Sequence, residues 1–174
     1  DDKVFEVIET QKIFNLPKEK IRILIHEKSY VHAIVQFKNG LKKILVHDTN
    51  MRIPIFNTLY HNSRKTIKSE NLDIKKINNL NLKSIDIKKF PSINVLKKIS
   101  NKNSMYETVL VSANDELVNL FLQKKISFNE IIKNLMKIIN LKEFLKFRNK
   151  KPRNIREIYN LNNSVRLKIR ELCI

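Results

Sequence analysis

Tyr30-Val31-His32-Ala33-Ile34-Val35-Gln36-Phe37-Lys38-Asn39-Gly40-Leu41-Lys42-Lys43-Ile44-Leu45-Val46-His47 is the stretch on which the fold class turns. Val31, Ala33, Val35 and Phe37 alternate with Tyr30, His32, Ile34 and Gln36, which is the two-residue period of a strand. Asn39-Gly40 follows. This dipeptide tolerates the positive φ of a tight turn and is the strongest short hairpin signal. Leu41 to His47 then returns as a second strand. Gly40 is the only glycine among the 174 residues, and a hairpin turn accounts for it.

Outward from the hairpin the period changes. Residues 2–14 read as a helix with Val4, Val7 and Ile8 on its apolar side, stopped by Asn15-Leu16-Pro17. Ile21, Ile23 and Ile25 alternate with Arg22, Leu24 and His26 and predict a strand before the hairpin. Residues 51–60 predict a short helix with Pro54 in its first turn. Residues 61–79, rich in Lys and Asn, read as a linker or long surface loop. Leu80, Leu82, Ile85 and Ile87 suggest a short extended stretch. From Pro91 the pattern is helical, with helices predicted near 92–101, 107–123, 128–146 and 153–172. Ile131, Ile132, Leu135, Ile138 and Ile139 form one apolar stripe, and Pro152 opens the last helix. The expected class is α+β: a helix with antiparallel strands, followed by an all-α four-helix domain.

Composition bounds the function. A chain with 42% hydrophobic and 30% charged residues can fold around a core. With a single glycine it holds no G-x-G-x-x-G or Walker loop, each of which needs several glycines for close backbone approach to phosphate. The net charge of +18 comes from 35 Lys and Arg against 17 Asp and Glu. Lys far exceeds Arg, Ile and Asn are abundant, and Ala, Gly, Pro and Trp are scarce. A/T-rich codons produce this pattern without an anionic partner. The alternative is a basic helical nucleic-acid-binding module, which would gather its lysines in one stripe. Cys173 is the only cysteine, so neither a disulfide framework nor a thiolate metal site is expected. No apolar run has transmembrane length and no secretory signal is visible, so no membrane partner is expected. Because the sequence starts at Asp1 and not at Met, it is expected to be processed or part of something longer, in an intracellular compartment.

Several constellations could carry chemistry. Asp2, Glu6 and Glu9 are spaced i, i+4, i+7 and share one helix face. Such a face either complements the helix dipole or holds an oxygen-coordinated cation such as Mg²⁺ or Mn²⁺. Lys3 beside it is a surface lysine or a contact for an anion. His26 and His32, expected on adjacent strands with Ser29 between them, either orient a substrate oxygen or are hydrogen-bonded sheet residues. His47 and His61 stand apart. Asn114, Asp115 and Glu116 interrupt an apolar helix, either as a cap or solvated face or in a packing role.

Together these segments resemble the 1-deoxy-D-xylulose 5-phosphate reductoisomerase family. Lys3-Val4-Phe5-Glu6-Val7-Ile8-Glu9-Thr10, then Ile13-Phe14, resembles its K-G-L-E-x-I-E-A…L-F helix. Ile25-His26-Glu27-Lys28-Ser29-Tyr30-Val31-His32 resembles I-H-P-Q-S-x-x-H, and Asn39-Gly40 falls at the family's D-G turn. Thr49-Asn50-Met51-Arg52-Ile53-Pro54-Ile55 resembles P-D-M-R-x-P-I. Leu110-Val111-Ser112-Ala113-Asn114-Asp115 resembles L-N-A-A-N-E, and Lys125-Ile126-Ser127-Phe128 its I-x-F run. The motifs keep the family's order over roughly residues 2–145; the last helix matches only in its place.

The resemblance implies an NADPH-dependent enzyme using Mg²⁺, Mn²⁺ or Co²⁺. It rearranges and reduces a sugar phosphate to 2-C-methylerythritol 4-phosphate for isoprenoid precursors. Residues 1–61 would be the C-terminal part of the catalytic domain, 62–88 a linker and 89–174 the C-terminal helical domain. Glu6 would be the family's third metal carboxylate. Lys3 and Glu6 would also meet the substrate, with His32 as a catalytic side chain and Asp2, Ser29 and Met51 lining the site. NADPH would be held by none of these residues but by an N-terminal domain. The family is a homodimer of the cytoplasm or of a plastid-type organelle. Asp2 stands in place of an Asn, Val4 of a Gly, Asn50 of an Asp and Val111 of an Asn. These departures fit a fast-drifting lineage or a degenerate, inactive remnant.

Overall fold

In the computed structural model residues 2–173 are described, Asp2 by its backbone alone. The chain divides into two compact units, Asp1–Arg22 with Asp86–Ile174, and Ile23–Ile85. The architecture is α+β, as the alternating periods predict.

The first unit is helical. Helix α1 (Asp2–Phe14) buries Val4 and Val7 and ends at Asn15, whose φ of 49° is the left-handed conformation of a helix C-terminus. It packs against a 3-10 turn over Pro91–Lys98, where an α-helix over 92–101 was expected. Ser92, Ile93, Asn94 and Val95 are weak helix formers, and the segment is too short to offset that. Helix α4 (Tyr106–Leu122; α2 and α3 belong to the second unit) is the centre of the core, with Val109, Ala113 and Leu117 fully buried. Helix α5 (Phe128–Ile138) starts with a capping box between Ser127 and Glu130. The single helix expected over 128–146 is broken here. Ile139 is buried, Leu141 is extended, and α6 (Lys142–Leu145) begins anew before a 3-10 turn at Lys146–Asn149. Asn140 supplies the local competitor, its Nδ2 donating to the Met136 carbonyl at 2.6 Å. Helix α7 (Ile155–Cys173) lays Leu161, Val165 and Ile169, one turn apart, into this core against α4.

The second unit holds the strands. β1 (Leu24–Ile25) pairs antiparallel with β4 (Lys83–Ser84), and β2 (Val31–Gln36) pairs antiparallel with β3 (Lys42–Val46). The turn at Gly40 has φ 86°, as its chemistry requires. The register runs from Gln36 opposite Lys42 to Val31 opposite Val46, with a bulge between Val31 and Ala33. β1 does not pair with β2, so His26 and His32 are not on adjacent strands as expected. The Tyr30 and Val31 amides are taken by the His26 ring and leave the ladder. The strand expected from Ile21 shrinks to β1. Helix α2 (Arg52–Leu59) lies where predicted. Within the expected loop, Asp73 caps a short helix, α3 (Ile74–Asn78), accepting from the Lys75 and Lys76 amides. Among the described residues no helix is long and apolar enough to cross a membrane.

Candidate active site

Along α1, Lys3, Glu6 and Glu9 are exposed beside the buried Val4 and Val7. Lys3 Nζ lies 2.6 Å from Glu6 Oε2, and the two side chains are 60% and 54% exposed. The i, i+3 spacing makes the pair, and solvent makes it weak. Glu6 is therefore a hard oxygen donor in reach of solvent, held by one lysine. The side chain of Asp2 lies outside the described residues. Among the described residues no group of three His, Cys, Asp or Glu side chains could hold a metal ion. Glu6 fits Mg²⁺ or Mn²⁺ chemically as one carboxylate ligand, and the remaining ligands of such an ion must come from elsewhere. Val4, in place of the family glycine, is buried in the helical core.

In the second unit the segment after β1 is a tight turn. His26 Nδ1 accepts from the Tyr30 and Val31 amides at 3.0 and 3.2 Å, and the Ser29 amide donates to the His26 carbonyl at 3.0 Å. Ser29 is held with φ 50°, a conformation a non-glycine residue adopts at a cost. The hydroxyl of this exposed serine is thus displayed from a strained, braced turn. His26 serves as the brace, which spacing alone could not show. His32, on β2, is exposed. Its ring is stacked on that of His47, a residue the sequence pattern set apart. Met51 stands at the N-terminus of α2 with its side chain exposed. Asn50 Oδ1 accepts from the Arg52 amide at 3.0 Å. An aspartate would make the same bond, so the Asn50 departure keeps the local Asx-turn that leads into α2.

Glu116 settles into the packing role. Its carboxylate is 1% exposed and joins α4 to α7 through Arg166 and Arg170. Cys173 is half-buried at the end of α7, and burial pushes its thiol up, away from thiolate chemistry.

With this geometry in place, comparison with known proteins gives the class. The model for the DXP reductoisomerase C-terminal domain matches residues 47–168. The 1-deoxy-D-xylulose 5-phosphate reductoisomerase of Pelagibacter ubique is 59% identical over 173 residues, covering 99% of this chain and 45% of that protein. That of Aquifex aeolicus is 30% identical over 174 residues, covering 98% of this chain and 44% of that one. The Zymomonas mobilis reductoisomerase, solved in complex with NADPH, superposes with a TM-score of 0.80 at 27% identity, over 99% of this chain and 44% of that one. A reductoisomerase solved with fosmidomycin and magnesium shares the fold, with a TM-score of 0.85 at 22% identity over 99% of this chain and 44% of that one. The chain belongs to the DXP reductoisomerase family and spans less than half the length of the curated relatives it matches.

Proposed function

We propose that this chain is the C-terminal part of a 1-deoxy-D-xylulose 5-phosphate reductoisomerase. The whole enzyme converts that sugar phosphate to 2-C-methylerythritol 4-phosphate with NADPH and a divalent metal. The observation that carries the reading is the 59% identity over 173 residues to a reductoisomerase; Lys3, Glu6, Ser29, His32 and Met51 lie in the segments whose sequence resembles the family's motifs. By role, residues 1–61 serve the catalytic domain, 62–88 connect, and 89–174 form the helical domain, although by packing α1 joins the helices. In this reading the enzyme is a homodimer.

A divalent cation supplies Lewis-acid stabilisation of charge on substrate oxygens. Glu6 contributes one carboxylate oxygen to hold it. Lys3 brings an ammonium to the same helix face, where it answers negative charge on a substrate oxygen. Ser29 offers a hydroxyl from its braced turn, His32 an imidazole that can hold or move a proton, and Met51 an apolar wall. Asp2, in place of a substrate-contacting asparagine, adds a negative charge that the cation or Lys3 must offset. None of these residues is assigned to NADPH.

The test is Glu6→Gln in the polypeptide that joins this region to the family's N-terminal portion. Mn²⁺ affinity, read by calorimetry, should fall by at least about tenfold, and turnover should fall with it. Parental affinity and turnover in that variant would exclude Glu6 as a ligand.

A further inference from the structure

His47 is left unused by the proposed chemistry, yet it touches a candidate catalytic side chain. Its ring lies flat on that of His32, with centroids 3.5 Å apart and planes within 4°. The bulge between Val31 and Ala33 explains the meeting. It makes His32 the extra residue on β2, opposite a β3 that ends one residue before His47. The extra residue of a bulge is re-aimed, and here it turns onto the ring beyond Val46.

Hydrogen bonds add direction to the stack. His32 Nε2 lies 3.3 Å from the His47 carbonyl oxygen. A carbonyl only accepts, so the bond places the proton of a neutral His32 on Nε2 and the lone pair on Nδ1. By the same rule His47 donates Nδ1–H to the Asp48 carbonyl at 2.6 Å. The Asp48 backbone thus fixes the His47 ring, that ring supports one face of His32, and the His47 carbonyl fixes the edge and tautomer of His32.

We propose that His47 is a positioning residue that holds His32 in one rotamer and one tautomer for the substrate. This rests on the reading of His32 as substrate-facing. A histidine that delivers or accepts a proton needs its nitrogen within hydrogen-bond reach of one atom, so ring disorder lowers turnover more than it weakens binding.

The experiment uses the polypeptide that joins this region to the family's N-terminal portion, with four variants. His47→Ala removes the stacked ring, His47→Leu fills its volume without a flat face, His47→Phe restores the flat face, and His32→Ala removes the supported residue. His47→Ala and His47→Leu should lower kcat about tenfold with KM within about twofold, and His47→Phe should recover most of the loss. In parallel, ¹⁵N-labelled histidine spectra of the neutral rings should show His32 protonated at Nε2 in the parent and in His47→Phe. His47→Leu keeps the residue-47 carbonyl but removes the ring that holds the face of His32, so the Nε2 bond should be made only part of the time and mixed tautomers should appear; this variant stands in for His47→Ala if that one does not fold. Parental kcat together with an unchanged His32 tautomer in His47→Leu overturns the proposal, as does failure of His47→Phe to recover turnover. If His32→Ala turns over like the parent while the tautomer pattern responds as expected, the role of His32 falls and the positioning by His47 stands.

Discussion

The ion-pair cluster between α4 and α7 makes an asymmetric prediction. Arg170 Nε donates to Glu116 Oε1 at 2.6 Å, and Arg166 Nη1 donates to Oε2 at 3.1 Å. Arg166 also reaches Asp115 Oδ2 at 3.2 Å and Asn162 Oδ1 at 2.9 Å. The hydrogen bond from Arg170, opposed by burial and supported by Arg166, holds the Glu116 carboxyl below the usual carboxylate range. The partners differ in their access to water: Glu116 is 1% exposed, the arginines 29% and 54%. If the carboxylate is neutralised, the arginines turn to solvent. If the arginines are removed, the carboxylate cannot. Glu116→Gln, which keeps the shape, should therefore cost about 1–2 kcal/mol. Arg166→Ala with Arg170→Ala strands a buried charge at Glu116, and that penalty is about 3–5 kcal/mol. The pH dependence separates the two cases further. In the parent the folded pKa of Glu116 is depressed, so its contribution is complete above the unfolded value and is lost as pH falls through the folded one. In the double variant burial without a cation raises the folded pKa. The penalty is then present at neutral pH and is relieved as pH falls through that raised value. Urea unfolding followed by far-UV circular dichroism across a pH series measures both effects. A double variant more stable than Glu116→Gln, or one that loses stability on acidification with the parent's slope, would refute the reasoning.

Three further outcomes are expected. Ser127→Ala removes the hydroxyl of the capping box, whose Oγ lies 2.7 Å from Glu130 Oε2, and should cost about 1 kcal/mol in urea unfolding. The Ser127 amide, then its hydroxyl, holds the Glu130 carboxyl low, so an NMR titration of the variant should find that carboxyl shifted toward its ordinary value. Tyr106→Phe removes the buried hydroxyl that donates to the Ile139 carbonyl at 2.6 Å and should lower stability by about 1–2 kcal/mol, read as a drop in Tm. Burial raises the Tyr106 phenol. Its contribution is therefore present below the ordinary phenol range and lost as pH rises through the folded value, and the Phe variant should lack that alkaline loss. Gly40→Ala meets open space but puts a Cβ on a backbone with φ 86°. The cost of about 1 kcal/mol should show as faster hydrogen exchange along β2 and β3.

The hairpin was readable because alternation and Asn39-Gly40 are local signals that agree. α1 and α4 were readable for the same reason, each having a periodic apolar face. The missed features depend on distant partners. Glu116 stood undecided between solvated face and packing, because its answer lies in Arg166 and Arg170 on another helix. The pairing of β1 with β4 joins Leu24 to Ser84 across the whole second unit, and no local period announces it. α3 had a legible start, Asp73 before Ile74, hidden by the surrounding polar composition. At the site, the acidic face of α1 with Lys3 beside it followed from helical spacing, while the ion pair of Lys3 with Glu6 came from the structure. The stack of His32 on His47 did not, because a one-residue bulge breaks the alternation by which faces are assigned.

The same contrast between local and distant partners separates the charge this protein uses from the charge its composition supplies. The buried carboxylate Glu116 is met by two arginines, one on each oxygen, and the other nitrogens of Arg166 reach Asp115 and Asn162. Lysines enter the packing where a flexible point charge suffices. Lys18 donates to the Ile99 carbonyl at 2.6 Å, and Lys12 reaches Glu107 at 2.6 Å. Lys83 with Glu27 and Lys76 with Glu70 lie instead on solvated surface, where an ion pair adds at most about 1 kcal/mol. Lysines in such places can accumulate with base composition at little cost to the fold, so the net charge of +18 is a poor guide to function. Lys3 is just as exposed as these, and its distinction is positional. It stands one helical turn from Glu6 on the one face of α1 that the core leaves open. The chemistry proposed for this chain depends on that placement and not on the number of cations around it.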